Sequence, residues 1–406
     1  MARKHSTPGV PIQFEPGIRI RFRDRYSTTP KTLSIHATLA KIMGAVFFRA
    51  ALTGLALVAC GGSPPRQATL ESSSRSPSCD DPTRLRHGGQ FLTMPDGVRV
   101  WYKLAGRDGA PVVAYLHGGP GYNAYAFEKS AGQILEESVR MLYIDQRGCG
   151  RSGFDGPDGA YGMRRTVEDV ERIRVAIGAE SLGLIGHSFG GIVAAAYAHR
   201  FPKNVSGIVM VDTAPRVGRA IAHQIQFLDG IADTAFPEKA AQIHTAVQTK
   251  QTAFATLLKL YEVVGRVPLQ RRMHYASTAK QAEMETLDSA SAVMGCTSER
   301  IVPAYEHEGY LGDAPPDVAA RLTVPSLLLA GRSSEVIGKE NLEAAAQIWG
   351  ARLLWVDGAG HFVYFEKPRE FTDAVTRFFA AALAAPVRFD APKVDENEFP
   401  VAPSKR

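Results

Sequence analysis

The sequence predicts an α/β fold in which a mostly parallel central sheet is covered by helices on both faces and carries a helical insertion. Three observations predict it. From Gly89 onward, short apolar runs alternate with amphipathic stretches, the pattern of strands and helices in a sheet buried on both sides. Between about Arg216 and Arg321 that alternation gives way to a long, mostly helical stretch, after which strand and helix resume. Several strands run straight into glycine-rich turns, which gathers those turns along the carboxyl edge of the sheet.

Each element has a local reason. Residues 89–106, GQFLTMPDGVRVWYKLAG, read as a hairpin turning at Pro95-Asp96-Gly97, where Pro, Asp and Gly supply the turn chemistry. APVVAYLHGG (110–119) is a buried strand, AFEKSAGQILEES (126–138) a helix and VRMLYIDQRG (139–148) a strand. TVEDVERIRVAIGA (166–179) is helical, SLGLIGHS (181–188) a strand, GGIVAAAYAHRFP (190–202) a helix and VSGIVMVDTAP (205–215) a strand. Beyond the insertion, PSLLLAG (325–331) and ARLLWVDGAG (351–360) are strands, while KENLEAAAQIWG (339–350) and PREFTDAVTRFFAAAL (368–383) are helices. The core is expected over 87–215 and 322–385. The insertion, 216–321, is expected as a cap whose ends meet the carboxyl edge and roof a site there.

Ahead of the core the composition changes. Met43–Cys60, MGAVFFRAALTGLALVAC, has a positive charge at Arg49, a short apolar run, and Leu57-Val58-Ala59-Cys60 followed by Gly61-Gly62. A run of about ten apolar residues is too short to span a bilayer and suits the h-region of a signal peptide. The tetrad ending in Cys60 resembles a bacterial lipobox, in which cleavage before the cysteine accompanies lipidation of its sulfur; an uncleaved anchor and a chance cysteine are the competing readings. Residues 1–59 are thus expected as leader and signal peptide, with Met43 an alternative start, and the mature chain as an exported bacterial lipoprotein of the cell envelope, membrane-held through Cys60. Residues 60–86, dominated by Ser, Pro, Gly and Arg, read as a flexible tether, and the Pro-rich, charged tail 386–406 as disordered or laid on the surface.

Residues 1–59 hold nine Lys and Arg against Glu15 and Asp24, a balance of +7. The whole chain carries +6, so residues from Cys60 onward carry −1. The basic balance therefore belongs to the leader. It gives no reason to expect nucleic acid, and no interleaved basic and aromatic stripe suggests it. With Cys60 acylated, Cys79, Cys149 and Cys296 remain, an odd set in which one bridge is compatible with an oxidising compartment.

The chemistry gathers on the carboxyl edge. Gly186-His187-Ser188-Phe189-Gly190 is a G-x-S-x-G between strand and helix, the setting of a nucleophile elbow that lifts Ser188 into a cleft. A serine hydroxyl needs a base, and DGAGHFVYFEKP supplies His361 after the last strand; His187, fixed in the elbow itself, is read as a neighbour of the elbow and not as the base. His117–Gly121, HGGPG, follows a strand and exposes backbone N–H groups. Together with the amide of Phe189 these groups are expected to form an oxyanion hole. No metal or organic cofactor is implied by these groups.

HGGPG, Asp145-Gln146-Arg147-Gly148-Cys149-Gly150-Arg151-Ser152, VEDVERIRVAIGAE leading into Gly-x-Ser-x-Gly-Gly, and GAGH together resemble the proline-iminopeptidase group of the α/β-hydrolase fold. The resemblance covers about His87 to Ala385 outside the cap. It implies an aminopeptidase acting through an acyl-enzyme, releasing proline or another small N-terminal residue from short peptides, with Ser188 as nucleophile, His361 as base, and the Gly119 and Phe189 backbone N–H groups as oxyanion-hole donors. It also implies that Cys149 belongs to a loop motif and has no redox role. The cap of this group supplies acidic side chains for the substrate's ammonium group. Here Glu306 and Glu308 in AYEHEGY, beside Tyr305 and Tyr310, are the candidates, although 216–321 has no Trp.

The pattern departs from the group at the acid. Where an Asp is expected three residues after Gly331, this chain has Ser334, followed by Glu335. Glu335 keeps the chain order Ser, acid, His and is the first expectation; Asp212, after the strand before the cap, is the alternative, and no acid at all the third. A carboxylesterase or lactonase using the same triad, and a catalytically silent surface binding protein, are the competing functions. Either enzyme reading takes a small peptide or ester substrate.

Overall fold

The computed structural model describes Cys79 and residues 88–384, apart from 155, 158, 313, 314 and 316. The leader, Cys60, the tether apart from Cys79, and the tail from 386 lie outside the described residues.

Among the described residues eight strands form one sheet: β1 Gln90–Thr93, β2 Arg99–Gly106, β3 Val112–Leu116, β4 Arg140–Asp145, β5 Leu182–His187, β6 Val205–Val211, β7 Ser326–Gly331 and β8 Arg352–Val356. Their order across the sheet is β1-β2-β4-β3-β5-β6-β7-β8. The first hairpin and the β2–β4 pair are antiparallel, and every pair from β4 to β8 is parallel. Parallel strands end at one edge, so the residues after β3, β5, β6, β7 and β8 meet there whatever their separation in sequence.

Alternation along these strands divides the interior between the two faces. Ala114, Leu116, Leu142, Ile144, Leu184, Ile208, Met210 and Leu328 pack on one side with α1 (Met163–Ala176), α2 (Phe189–Arg200) and α9 (Lys339–Trp349). Val113, Tyr115, Met141, Tyr143, Ile185, Val209, Val211 and Leu329 pack on the other with Phe371, Val375 and Phe379 of α11 (Pro368–Ala384). Each Val, Leu, Ile, Met or Phe among them, fully buried, contributes about 1.5–3 kcal/mol.

Between β6 and β7 the described residues form six helices: α3 Val217–Ala235, α4 Ala240–Gln248, α5 Ala253–Val264, α6 Arg266–Met273, α7 Thr278–Ala290 and α8 Ile301–His307. Their buried residues Leu228, Ile243, Leu260, Leu269 and Met273 continue the core of the first face. A short helix α10 (Val363–Glu366) follows β8.

The helix expected over 126–138 is instead two short turns, Tyr125–Phe127 and Gln133–Leu135, on either side of a wider turn Glu128–Gly132. Ser130 breaks the run at φ −125°, ψ −109°, its hydroxyl donating to the Ala126 carbonyl at 2.7 Å. The kink turns Glu128 inward, where Lys103 Nζ (2.8 Å) and Arg151 Nη1 (3.1 Å) donate to it.

Cys79, in the stretch read as tether, is bonded to Cys296 of the loop between α7 and α8. Cys149 is free and buried.

Candidate active site

Ser188 sits between β5 and α2 at φ 54°, ψ −125°, a conformation L-residues rarely adopt. Two glycines let neighbouring backbone close around it. A Cβ on Gly190 would lie 2.1 Å from the Leu116 carbonyl, and one on Gly118 would lie 2.8 Å from Ser188 Cβ. The HGGPG loop is thereby laid against the elbow. Among the described residues neither the Gly119 nor the Phe189 amide is used by a backbone acceptor, and both residues line the same cavity as Ser188.

That loop is held from behind by the DQRGCGRS segment. Gln146 N–H donates to His117 Nε2 at 3.0 Å, which leaves Nδ1 as the protonated nitrogen, donating to the Gly118 carbonyl at 3.0 Å. Asp145, fully buried, accepts from Ala124 N–H, Arg151 N–H and the Arg151 guanidinium at 2.6–3.0 Å. Arg151 in turn lies 3.3 Å over the Trp101 ring. The motif is a buried polar scaffold, and Cys149 is one of its packing residues.

His361, after β8, is 4% exposed and lines the cavity with Ser188. Its Nδ1 lies 3.0 Å from Asp212 Oδ2. Burial disfavours charge on both groups, lowering the imidazole and raising the carboxyl, while the nearby Ser334 hydroxyl pulls the carboxyl back down. Asp212 Oδ1 has no aligned hydrogen-bond partner among the described residues. His187 is a neighbour: its Nε2 donates to the His361 carbonyl at 3.1 Å, and the rings are 4.6 Å apart.

The first expectation for the acid is therefore corrected. Glu335 does not meet His361; its carboxylate accepts from His223 Nε2 of α3 at 2.9 Å and is 37% exposed. Its N–H is tied to the Met273 carbonyl at 2.9 Å, which turns the side chain toward the cap. Asp212 leaves β6 at φ 46°, and its carboxylate reaches His361, which follows β8 two strands away in the sheet. Ser334, in the loop after the intervening β7, places its hydroxyl beside the Asp212 carboxylate.

Glu306 and Glu308 are corrected as well. Neither lines the cavity; Glu306 is exposed, and Glu308 Oε2 accepts from Met163 N–H at 2.7 Å, capping the start of α1. Tyr305 and Tyr310 are buried, Tyr305 edge-on to Phe189.

The carboxylate that does line the cavity is Asp288 of α7. It is 4% exposed, accepts from Tyr122 Oη at 2.5 Å, and is raised to about 6 by burial, with Tyr122 and Arg266 opposing. It lies on a buried stripe with Gln281 and Met284, so a carboxylate at i+4 from a core Met was the signal available in sequence. The cavity, about 270 Å³, is otherwise mostly apolar, walled by residues such as Ile221, Phe254, Leu257, Leu311 and Val336.

Among known proteins, residues 111–368 match the alpha/beta hydrolase fold family. The proline iminopeptidase PfmaB of Pestalotiopsis fici is 27% identical over 283 residues, 67% of this chain and 92% of that one. The sn-1-specific diacylglycerol lipase ABHD11 of Mus musculus is 26% identical over 281 residues, 66% of this chain and 81% of that one. The crystal structure of a proline iminopeptidase-related protein from Thermus thermophilus superposes with a TM-score of 0.59 at 23% identity, covering 73% of this chain and 98% of that one. With its eight-stranded sheet, its strand-to-helix serine and this match over most of the described chain, the protein belongs to the α/β-hydrolase fold family, in which proline iminopeptidases are among the proteins it is similar to.

Proposed function

We propose that the protein is a serine hydrolase working through an acyl-enzyme, and that it is an aminopeptidase releasing a small or apolar N-terminal residue from short peptides. Ser188 Oγ attacks the scissile carbonyl, and neutral His361 takes its proton. Asp212 at 3.0 Å orients the imidazole and balances the imidazolium that forms. The Gly119 and Phe189 N–H groups donate to the developing oxyanion. His361 then returns the proton to the leaving amine, and water, deprotonated by the same imidazole, cleaves the acyl-enzyme.

One observation carries the aminopeptidase reading: Asp288, a buried carboxylate on the wall of the cavity that holds Ser188. In such surroundings it is a partner for a substrate's α-ammonium group, and the iminopeptidase relative supports the same substrate class. A charged hydrogen bond of this kind contributes about 1.5–3 kcal/mol, roughly one to two decades in rate. Cleavage of alanyl or prolyl anilides should fall by that factor when the amine is acetylated, and the Asp288→Asn enzyme should lose the distinction. Equal turnover of free and acetylated substrates by the wild type would move the reading to a carboxylesterase or lactonase. That second reading is favoured by the apolar walls of the cavity and by the lipase relative.

We also propose that the chain is exported and anchored through Cys60. The Cys79–Cys296 bond supports an oxidising compartment. Fatty-acid labelling that is present in the wild type and lost in Cys60→Ser tests the anchor; an unlabelled wild type refutes it.

A further inference from the structure

His361 is gripped from two sides. Its N–H donates to the His274 carbonyl of the cap at 2.7 Å. One residue earlier, the Gly360 N–H donates to Glu366 Oε2 at 2.5 Å. The other oxygen of the same carboxylate, Glu366 Oε1, accepts from the Ala276 and Ser277 N–H groups of the cap, both at 2.9 Å. Glu366 is 6% exposed, so one buried carboxylate takes three backbone N–H groups, two from the cap and one from the loop that bears His361. The two backbones are in close contact there: a Cβ on Gly360 would lie 2.3 Å from the His274 carbonyl oxygen. Proton transfer between Ser188 and His361 makes no use of Glu366.

We propose that Glu366 is a positioning residue that couples the seating of the cap segment His274–Ser277 to the placement of His361. The inference rests on the reading of His361 as the base. An ionised carboxylate has acceptor sites on both oxygens and satisfies both sides at once, whereas a neutral amide turns an N–H₂ toward one of them and leaves N–H facing N–H. His274, Tyr275 and Asp288 line the cavity from the cap, and Gly119, Ser188 and His361 from the core. A substrate that fills the cavity therefore touches both layers, and through Glu366 its contacts with the cap bear on the position of the base. A displacement of about 1 Å at a reacting group costs about a hundredfold in rate.

The test uses the full-length chain with Glu366→Gln and Glu366→Asp. Asp keeps the charge but is one methylene too short to span both sides, so it decides the matter should the Gln variant fail to fold. The measurements are kcat and KM on p-nitrophenyl acetate, the rate at which a fluorophosphonate labels Ser188, and hydrogen exchange of segments 273–278 and 358–362. We expect kcat and labelling rate to fall about ten- to a hundredfold with KM within about twofold, and exchange to quicken in both segments together. If kcat per labelled site stays at the wild-type value while only thermal stability or exchange changes, Glu366 is structural and the proposal is overturned. A wild-type protein that takes no label, or a His361→Ala variant labelled as fast as the wild type, overturns the serine-hydrolase reading instead.

Discussion

Replacing Asp212 by Asn removes one charge from beside His361 and keeps both the size of the side chain and its tolerance of the positive φ found there. At the 3.0 Å separation of Asp212 Oδ2 and His361 Nδ1, with an effective dielectric constant of about 20, a carboxylate and an imidazolium attract by about 5.5 kcal/mol. That attraction is present only once the proton has moved, so it lowers the barrier without strengthening substrate binding. It corresponds to about four decades in rate. An amide still hydrogen-bonds the ring but can favour the wrong tautomer, so kcat should fall about 10³- to 10⁴-fold with KM little changed. Glu335→Gln is the matched control. The Glu335 carboxylate is 37% exposed and pairs with His223, 30% exposed, an arrangement worth at most about 1 kcal/mol, and kcat should stay within about fivefold. The assay is hydrolysis of p-nitrophenyl acetate and fluorophosphonate labelling, with thermal unfolding followed in parallel so that misfolded protein is not counted as inactive. Loss of turnover in Glu335→Gln with Asp212→Asn near wild type would refute the reasoning.

Two further predictions follow from burial and connectivity. The Asp288 carboxyl is raised to about 6 by burial, so it is ionised above that pH and neutral below it; the preference for a free-amine anilide over p-nitrophenyl acetate should fall about tenfold per unit as pH drops below 6. The ratio cancels the titration of His361, and a ratio flat from pH 7 to 5 would remove Asp288 from the ammonium site. The Cys79–Cys296 bond joins residues 217 apart, for which the chain-entropy model gives about 5 kcal/mol. Cys79→Ser should therefore lower the unfolding midpoint in denaturant markedly, and a midpoint unchanged from the oxidised wild type would show that the bond is absent or inert.

Much of this fold was legible in the sequence because its signals are short-range. The run from β5 through Ser188 into α2 depends on residues within a few positions of the serine, and the HGGPG loop and the GAGH turn are equally local. Strand and helix alternation then put these turns on one edge, since parallel strands all end on the same side. The break at Glu128–Gly132 was less legible, because the contacts that hold it are distant: Glu128, turned inward by the kink, meets Lys103 and Arg151.

The sequence by itself determined that this is a mostly parallel α/β protein with a helical insertion, and it placed Ser188 and His361 on one edge of the sheet. Which carboxylate reaches His361 was decided only by tertiary structure. Asp212 and His361 are 149 residues apart, and their contact depends on how the ends of β6, β7 and β8 lie side by side. Chain order fitted Glu335 as well as Asp212, because order carries no information about the direction in which a side chain points. The same reason separates Asp288, on the inward face of α7, from Glu306 and Glu308, which face solvent or cap α1. A helix's composition shows that it has a polar face, but the packing of the cap on the sheet decides which of its carboxylates looks into the cavity.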